Sequence, residues 1–547
     1  MTKQNRRLRI IVSVVLAVGV ILGVLLVARG CSNNGQATPV TTGTPQPSVP
    51  VDPVDGGTLS IPMPKNPGTL NPLRATSADM ASIGWLVYES LVKYDEQGRV
   101  VNGVAESFET ADNGKTWTFH IKKGIQFQRG GGELTANDVL YTHNLIMSYS
   151  PDECLYKDAA SKIQEMKVVD NYTLSVTAAK SGHTVMDALC FPILSRNYCS
   201  SRNVDTALPN GTGPYTVQAS NASGMTLKAN ENWWKQRAHI DTIKAVAVPD
   251  NDAALSSFEA NELNMAPTQQ ITASRFAQSD DTTVYEVMTQ RYECIVPNLL
   301  GGKLSNLSMR QAIAYSLDTK EVIERAFLGH AVAVDTPVSP GNYLFDPGAE
   351  TYEYNIKKAA GLLDSSGWFL PQDETQKIRV NAQGQKLQLR LLIDENPDST
   401  VRKDMAQAIK EQLRKTGIDV VIETKSWEDY LKALKNKSFD LALCGFNLDR
   451  SLDLTSLLRS GGSINYGGYS DGEMNALLDA YAKSTKETDR KTNMGKIQEM
   501  ILNKLPVISL CYRTYSLVSD NTVQNVEGLF NMNYYNNIER WFIKDGG

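Results

Sequence analysis

The chain of 547 residues predicts an α/β protein built from more than one domain. Three observations carry this. The length exceeds what one hydrophobic core holds. Residues 387–446 alternate strand and helix patterns in the order β-α-β-α-β, which right-handed crossovers turn into a parallel sheet. Residues 103–139 (GVAESFETADNGKTWTFHIKKGIQFQRGGGELTANDV) read instead as a hairpin delivering a helix.

In that stretch Asn113-Gly114 is a two-residue turn signal and Thr116 to Ile121 alternates as a strand. Glycines 130–132 break the chain, and Thr135 with Asp138 three residues on forms a near capping box. Before it, Gly57 to Ile61 is a strand, residues 64–74 a Pro- and Asn-rich loop, and residues 78–92 an apolar helix. Thr76 and Ser77, between loop and helix, are candidate ligand contacts as well as ordinary caps. After it, Gly211 onward and Met225 to Asn230 are strands, and residues 310–327 are a helix capped by Ser308.

In the β-α-β-α-β unit, strands 387–393, 419–423 and 439–446 alternate with helices 400–416 and 426–434, the first of them stopped by Gly417. All three strands end at one edge, which carries Asp394, Glu395, Lys425, Ser426, Trp427, Phe446, Asn447 and Asp449. A carboxylate and two aromatics at the carboxyl edge of such a sheet suit a polar, amine-bearing ligand.

Composition narrows the functional class. Hydrophobic residues make up 41% and charged residues 21%, as in globular proteins. Residues 1–30 hold five of the 55 Lys and Arg and no acid, so the remainder carries 50 basic against 60 acidic side chains, net −10. That balance, without a basic stripe, excludes nucleic acid as the expected partner. Seven cysteines include no C-x-x-C pair and the five histidines are scattered, so no metal or cofactor site is expected. Cys190 and Cys199 are the closest cysteines outside the N-terminus; a disulfide between them is open, and buried thiols are the commoner arrangement.

At the N-terminus four basic residues precede an uncharged apolar run from Ile10 to Ala28. Its length suits an anchor, while Gly30-Cys31 suits a lipidated cysteine, although Ala28 and Arg29 depart from a lipobox. Both readings tether the protein to the outer face of the membrane. Residues 32–55, rich in Pro, Thr and Ser, form a semi-extended leash.

Ala105-Glu106-Ser107, the Asp-Asn-Gly turn, Trp117-Thr118-Phe119, Lys123-Gly124-Ile125-Gln126-Phe127 and Leu134 to Val139 together resemble the family 5 extracytoplasmic solute-binding proteins, the peptide and nickel receptors of ABC importers. The resemblance recurs in order at Leu70-Asn71-Pro72, Tyr88 to Val92, Gly211 to Tyr215, Glu231 to Trp234, Met309 to Tyr315 and Gly468-Tyr469-Ser470, covering residues 57 to about 540. It implies a two-lobe periplasmic-binding-protein-like fold (type II, cluster C) with an inserted subdomain at 93–205. Lobe I would comprise 56–92, 206–296 and 520–547, and lobe II 297–519; by position alone, glycine and loop residues near 294–305 and 515–525 are hinge candidates.

By resemblance Asp449 pairs with a peptide's free amino terminus. Trp427, nineteen residues before Phe446, is then the pocket tryptophan, and Phe446 stands where the family has Trp. Such a charged contact is worth roughly 1.5–3 kcal/mol. The arginines that answer a ligand carboxylate in some relatives align with Leu434 and Cys444. The implied role is a monomeric receptor that delivers short peptides to ABC permease and ATPase subunits. Alternatives are a peptide-sensing or adhesive receptor, or cargo such as a nickel chelate or oligosaccharide.

No enzymatic activity is expected. Gly468-Tyr469-Ser470-Asp471-Gly472 matches G-x-S-x-G, but no histidine follows His330 and no buried strand precedes the serine. No phosphate loop, H-E-x-x-H or G-x-G-x-x-G is present.

Overall fold

A computed structural model describes residues 52–268, 271–372, 377–395 and 400–544. The apolar run, Cys31 and nearly all of the leash lie outside them. Among the described residues no helix is long and apolar enough to cross a membrane.

The first sheet pairs Thr58–Pro64 in parallel with Thr242–Val248, followed by Gly224–Ala229 and Tyr215–Asn221, both antiparallel. Leu59, Ile61 and Met63 alternate into the core beneath helix Ala78–Val87. A separate antiparallel sheet runs in the order Ala105–Thr110, Thr116–Ile121, Thr173–Ala178, Ile163–Asp170. Its hairpin turns at Asn113 and Gly114, both with positive φ. Trp117, Phe119 and Ile121 are buried while the residues between them are half-buried. The carboxylate of Asp138 accepts from the backbone N–H and the hydroxyl of Thr135, both at 2.9 Å, starting helix Ala136–Ser148.

The third sheet contains the β-α-β-α-β unit. Gln388–Asp394 pairs in parallel with Asp419–Lys425 on one side and with Leu441–Asn447 on the other. Helices Thr400–Lys415 and Trp427–Lys435 are the crossovers, the second capped by Ser426. Two long strands, Thr282–Pro297 and Ile508–Asp520, extend this sheet and pair antiparallel. They serve two cores. Val287 and Leu517 pack with Leu59 and Phe119, whereas Tyr292 and Tyr512 pack with Phe439 and Tyr481. Between these points the register breaks, at Met288/Tyr292, and it breaks again just beyond them, at Glu293/Cys294. The chain therefore changes cores at 287–292 and between 517 and 512.

Two helices differ from expectation. The helix expected over 78–92 ends at Val87, because Gly213 N–H donates to the Val87 carbonyl (2.8 Å) and Gly211 packs so closely that a Cβ there would lie 2.0 Å from the same oxygen. The helix expected over 310–327 is two, Leu307–Tyr315 and Thr319–Phe327, capped by Asn306 and Asp318 respectively. Cys154, Cys190, Cys199, Cys294, Cys444 and Cys511 are free thiols, so Cys190 and Cys199 are not bonded.

The sheet of residues 105–178 leads into Gly182, which packs directly against the end of helix Gly472–Lys483. A Cβ at Gly182 would lie 1.7 Å from the Ala482 carbonyl, and its φ of +132° is one that only glycine adopts freely. Gly182→Ala is expected to hold these faces apart, with about 1–3 kcal/mol of added backbone strain. Small-angle scattering should then show a larger radius of gyration with unchanged far-UV circular dichroism.

Candidate ligand cleft

A cleft of about 1420 Å³ lies where the two long strands change cores. One wall carries Trp85, Tyr88, Glu89, Lys93 and Tyr94, from the end of helix Ala78–Val87 and the segment that follows. The facing wall carries Asn447, Leu448, Asp449 and Arg450, and the floor carries Arg291 and Arg513.

Asp449 stands at the carboxyl edge of the sheet, as the strand order requires. Its Oδ1 accepts from Ser451 Oγ at 2.8 Å and from Asp453 N–H at 3.1 Å. Its Oδ2 is 3.2 Å from Lys162 Nζ, from the opposite wall. Lys162 also lies 3.0 Å from Asp187, which accepts a hydrogen bond from the Tyr94 hydroxyl. Burial works against the Lys162 charge, but Asp187 and Asp449 outweigh it and hold the pKa above the usual lysine range. The next residue, Arg450, donates to the Asn531 carbonyl at 3.1 Å and lies over the Phe530 ring, 4.7 Å from its centroid.

The floor is built around Glu293, which is fully buried. Its Oε1 is 2.7 Å from Arg513 Nε and 3.4 Å from Arg291 Nε, and its Oε2 is 3.0 Å from Arg402 Nη2. Arg402 also reaches Asp394 at 3.4 Å. Burial opposes the Arg402 charge, and the two carboxylates more than offset it, raising its pKa. Asp394 thus faces a buried arginine and is not among the residues lining the cleft.

Of the expected site residues, Asn447 and Asp449 line the cleft together, and the other four do not. Phe446 points the other way, buried and stacked on Tyr466 at 6.3 Å, because pleating sends alternate residues of Leu441–Asn447 to opposite faces. Trp427 is 55% exposed and stacks on Tyr430. Ser77 caps helix Ala78–Val87 through Met80 N–H, and Thr76 donates to the Pro67 carbonyl. The opposite end of that helix faces the cleft. Trp85, Tyr88 and Tyr94 were the signal for it, large aromatics spaced around Glu89 and Lys93. Ser470 lies beside Ser460, and Asp471 caps the following helix. Among the described residues no group of three His, Cys, Asp or Glu is placed to hold a metal.

Residues 99–467 match the model of the bacterial extracellular solute-binding proteins, family 5. The chain belongs to this family. It is 25% identical over 558 aligned residues to the oligopeptide-binding protein AppA of Bacillus subtilis (strain 168), covering 96% of this chain and 98% of the relative. The solved structure of that relative holds a nonapeptide and matches with a TM-score of 0.59 at 22% identity, over 90% of this chain and 99% of the other. The nickel-binding periplasmic protein of Escherichia coli (strain K12) is 26% identical over 65% of this chain and 69% of its own length. The fold also matches the murein tripeptide binding protein MppA in its unliganded open form, with a TM-score of 0.79 at 17% identity, over 90% and 99% of the two chains. The two-lobe fold of these receptors is therefore the fold of this solute-binding protein.

In this receptor a second contact closes the seam beside the cleft. His183 is buried, its Nδ1 donates to the Ser484 carbonyl at 3.0 Å, and its ring stands edge-on to Tyr481. Burial, reinforced by Arg490, depresses its pKa to about 3, against an opposing pull from Asp187. Parting the faces returns the ring to water and to an ordinary value near 6.5. The joined state thus binds fewer protons. Its advantage is complete above pH 6.5 and is lost as pH falls toward 3. At pH 5 the seam should be weaker by about 2 kcal/mol, near thirtyfold. A fluorescence distance pair across the cleft should report separation on acidification, and His183→Gln should flatten that response between pH 5 and 7. At the floor, Glu293→Gln leaves the buried Arg402 undercompensated and is expected to cost about 3–5 kcal/mol, read as a lowered thermal midpoint.

Proposed function

We propose that this solute-binding protein captures short peptides between its lobes and delivers them to the permease and ATPase subunits of an ABC importer. The observation that carries the reading is the cleft. At about 1420 Å³ it exceeds the roughly 300–1,000 Å³ typical of small-molecule pockets. It is walled by aromatic and polar residues from both lobes, so cargo would be enclosed as the lobes close. The nonapeptide held by the Bacillus subtilis relative supports cargo of this class.

In this reading the receptor is a monomer without catalytic activity. It is tethered outside the cell by an N-terminal helix or a lipid on Cys31, with residues 32–55 as the leash. The hinge is the pair of strands at 287–292 and 512–517. Asn447 and Asp449 belong to the wall that lobe II brings to the cargo, and Phe446 holds their strand end against the core. Thr76, Ser77 and Trp427 serve local structure.

Native mass spectrometry of the full-length protein, solubilised in detergent without refolding, tests the reading. A ladder of bound masses that sequence as short peptides is expected. A single non-peptide solute in their place would overturn peptide capture.

A further inference from the structure

We propose that the cleft anchors its cargo by an anionic end, a carboxylate held between Arg291 and Arg513, and offers no vacant place for an ammonium at Asp449. The proposal rests on the peptide reading and specifies which terminus the receptor selects. At the floor, Arg291 and Arg513 come from different strands, and both spend Nε on the same oxygen of Glu293. Among the described residues neither guanidinium has a hydrogen-bond or ion-pair partner for its Nη atoms, although that of Arg513 lies over the Phe327 ring, 5.7 Å from its centroid, and both line the cleft. With Arg402, Glu293 and Asp394 the cluster holds three positive and two negative charges. One further carboxylate would balance it. Paired guanidinium forks, pinned from behind, match the planar geometry of that group.

The backbone makes room for the arginines themselves. A Cβ at Gly445 would come within 2.6 Å of both Arg291 Nε and Arg402 Nη2. Leu434 and Cys444, where some relatives carry carboxylate-binding arginines, are buried apolar residues here. A carboxylate therefore has to be met from elsewhere in the cleft, and these two arginines are placed to do it.

At Asp449 the position for an ammonium is taken by the chain itself. Lys162 lies between Asp449 and Asp187, and the second Asp449 oxygen is held by Ser451 and Asp453. An incoming amine has to displace an ammonium that two carboxylates already hold. The gain is small, because one such contact replaces another.

The test compares randomised pentapeptide pools with free ends, N-acetylated ends or C-amidated ends, in competition for the full-length protein in detergent by native mass spectrometry. Acetylation is expected to change affinity by no more than about threefold, and amidation to weaken it at least tenfold. Arg513→Gln should erase the difference between free and amidated pools, and Arg291→Gln supplies the same readout if the first variant is poorly folded by circular dichroism. Lys162→Met should create a preference of about tenfold for the free amine. Equal binding of free and amidated pools by the unmodified protein would overturn the anion anchor and leave peptide capture standing. Failure of every pool to bind would overturn peptide capture, and the anchor with it.

Discussion

Glu293 is a carboxylate with no exposed surface, one residue past the point where the two crossing strands lose register. A buried carboxylate alone costs several kcal/mol, so it persists only with its cations assembled around it. Those cations come from the same strand, from helix Thr400–Lys415 and from strand Ile508–Asp520. Meeting them fixes the two crossing strands and the first crossover helix relative to one another. It also demands a residue without a side chain at Gly445 on the adjoining strand. The positive floor of the cleft is thus a by-product of folding. Arginines recruited to compensate one buried acid leave their outer edges facing the space between the lobes.

This dependence explains which parts of the fold could be read from sequence. The parallel unit of residues 388–447 was legible because its information is local: alternating apolar strands, an amphipathic helix stopped at Gly417 and another started at Ser426. Its carboxyl edge carries Asp394, Lys425 and Asn447 as the pattern implies. Which of the edge residues face the cleft was not legible. Asp394 turns to Arg402, and Phe446 turns to Tyr466. The partner of Asp394 sits on a crossover helix of the same unit, and the pleat decides the face of Phe446. What the local pattern leaves open is where the cleft lies, which strand Thr282–Pro297 from outside the unit sets by lying against Leu441–Asn447. The helix that stops at Val87 shows the same limit, since the glycines that crowd its end are at 211 and 213.

Asp449 carries the point into function. The family pattern places an acid there, and the structure agrees that it stands in the cleft. What the pattern does not encode is the charge opposite. Lys162 is 287 positions away in sequence, just before a strand whose other basic residue, Lys167, is solvent-facing, and nothing local distinguishes the two lysines. Only the approach of the lobes makes Lys162 the counterion of Asp449. A motif conveys the acid but not its partner. Replace the lysine with an apolar residue and the same aspartate would present an unmet charge to cargo. Keep it, and the arginines that Glu293 gathered at the floor still turn their outer edges to the cleft.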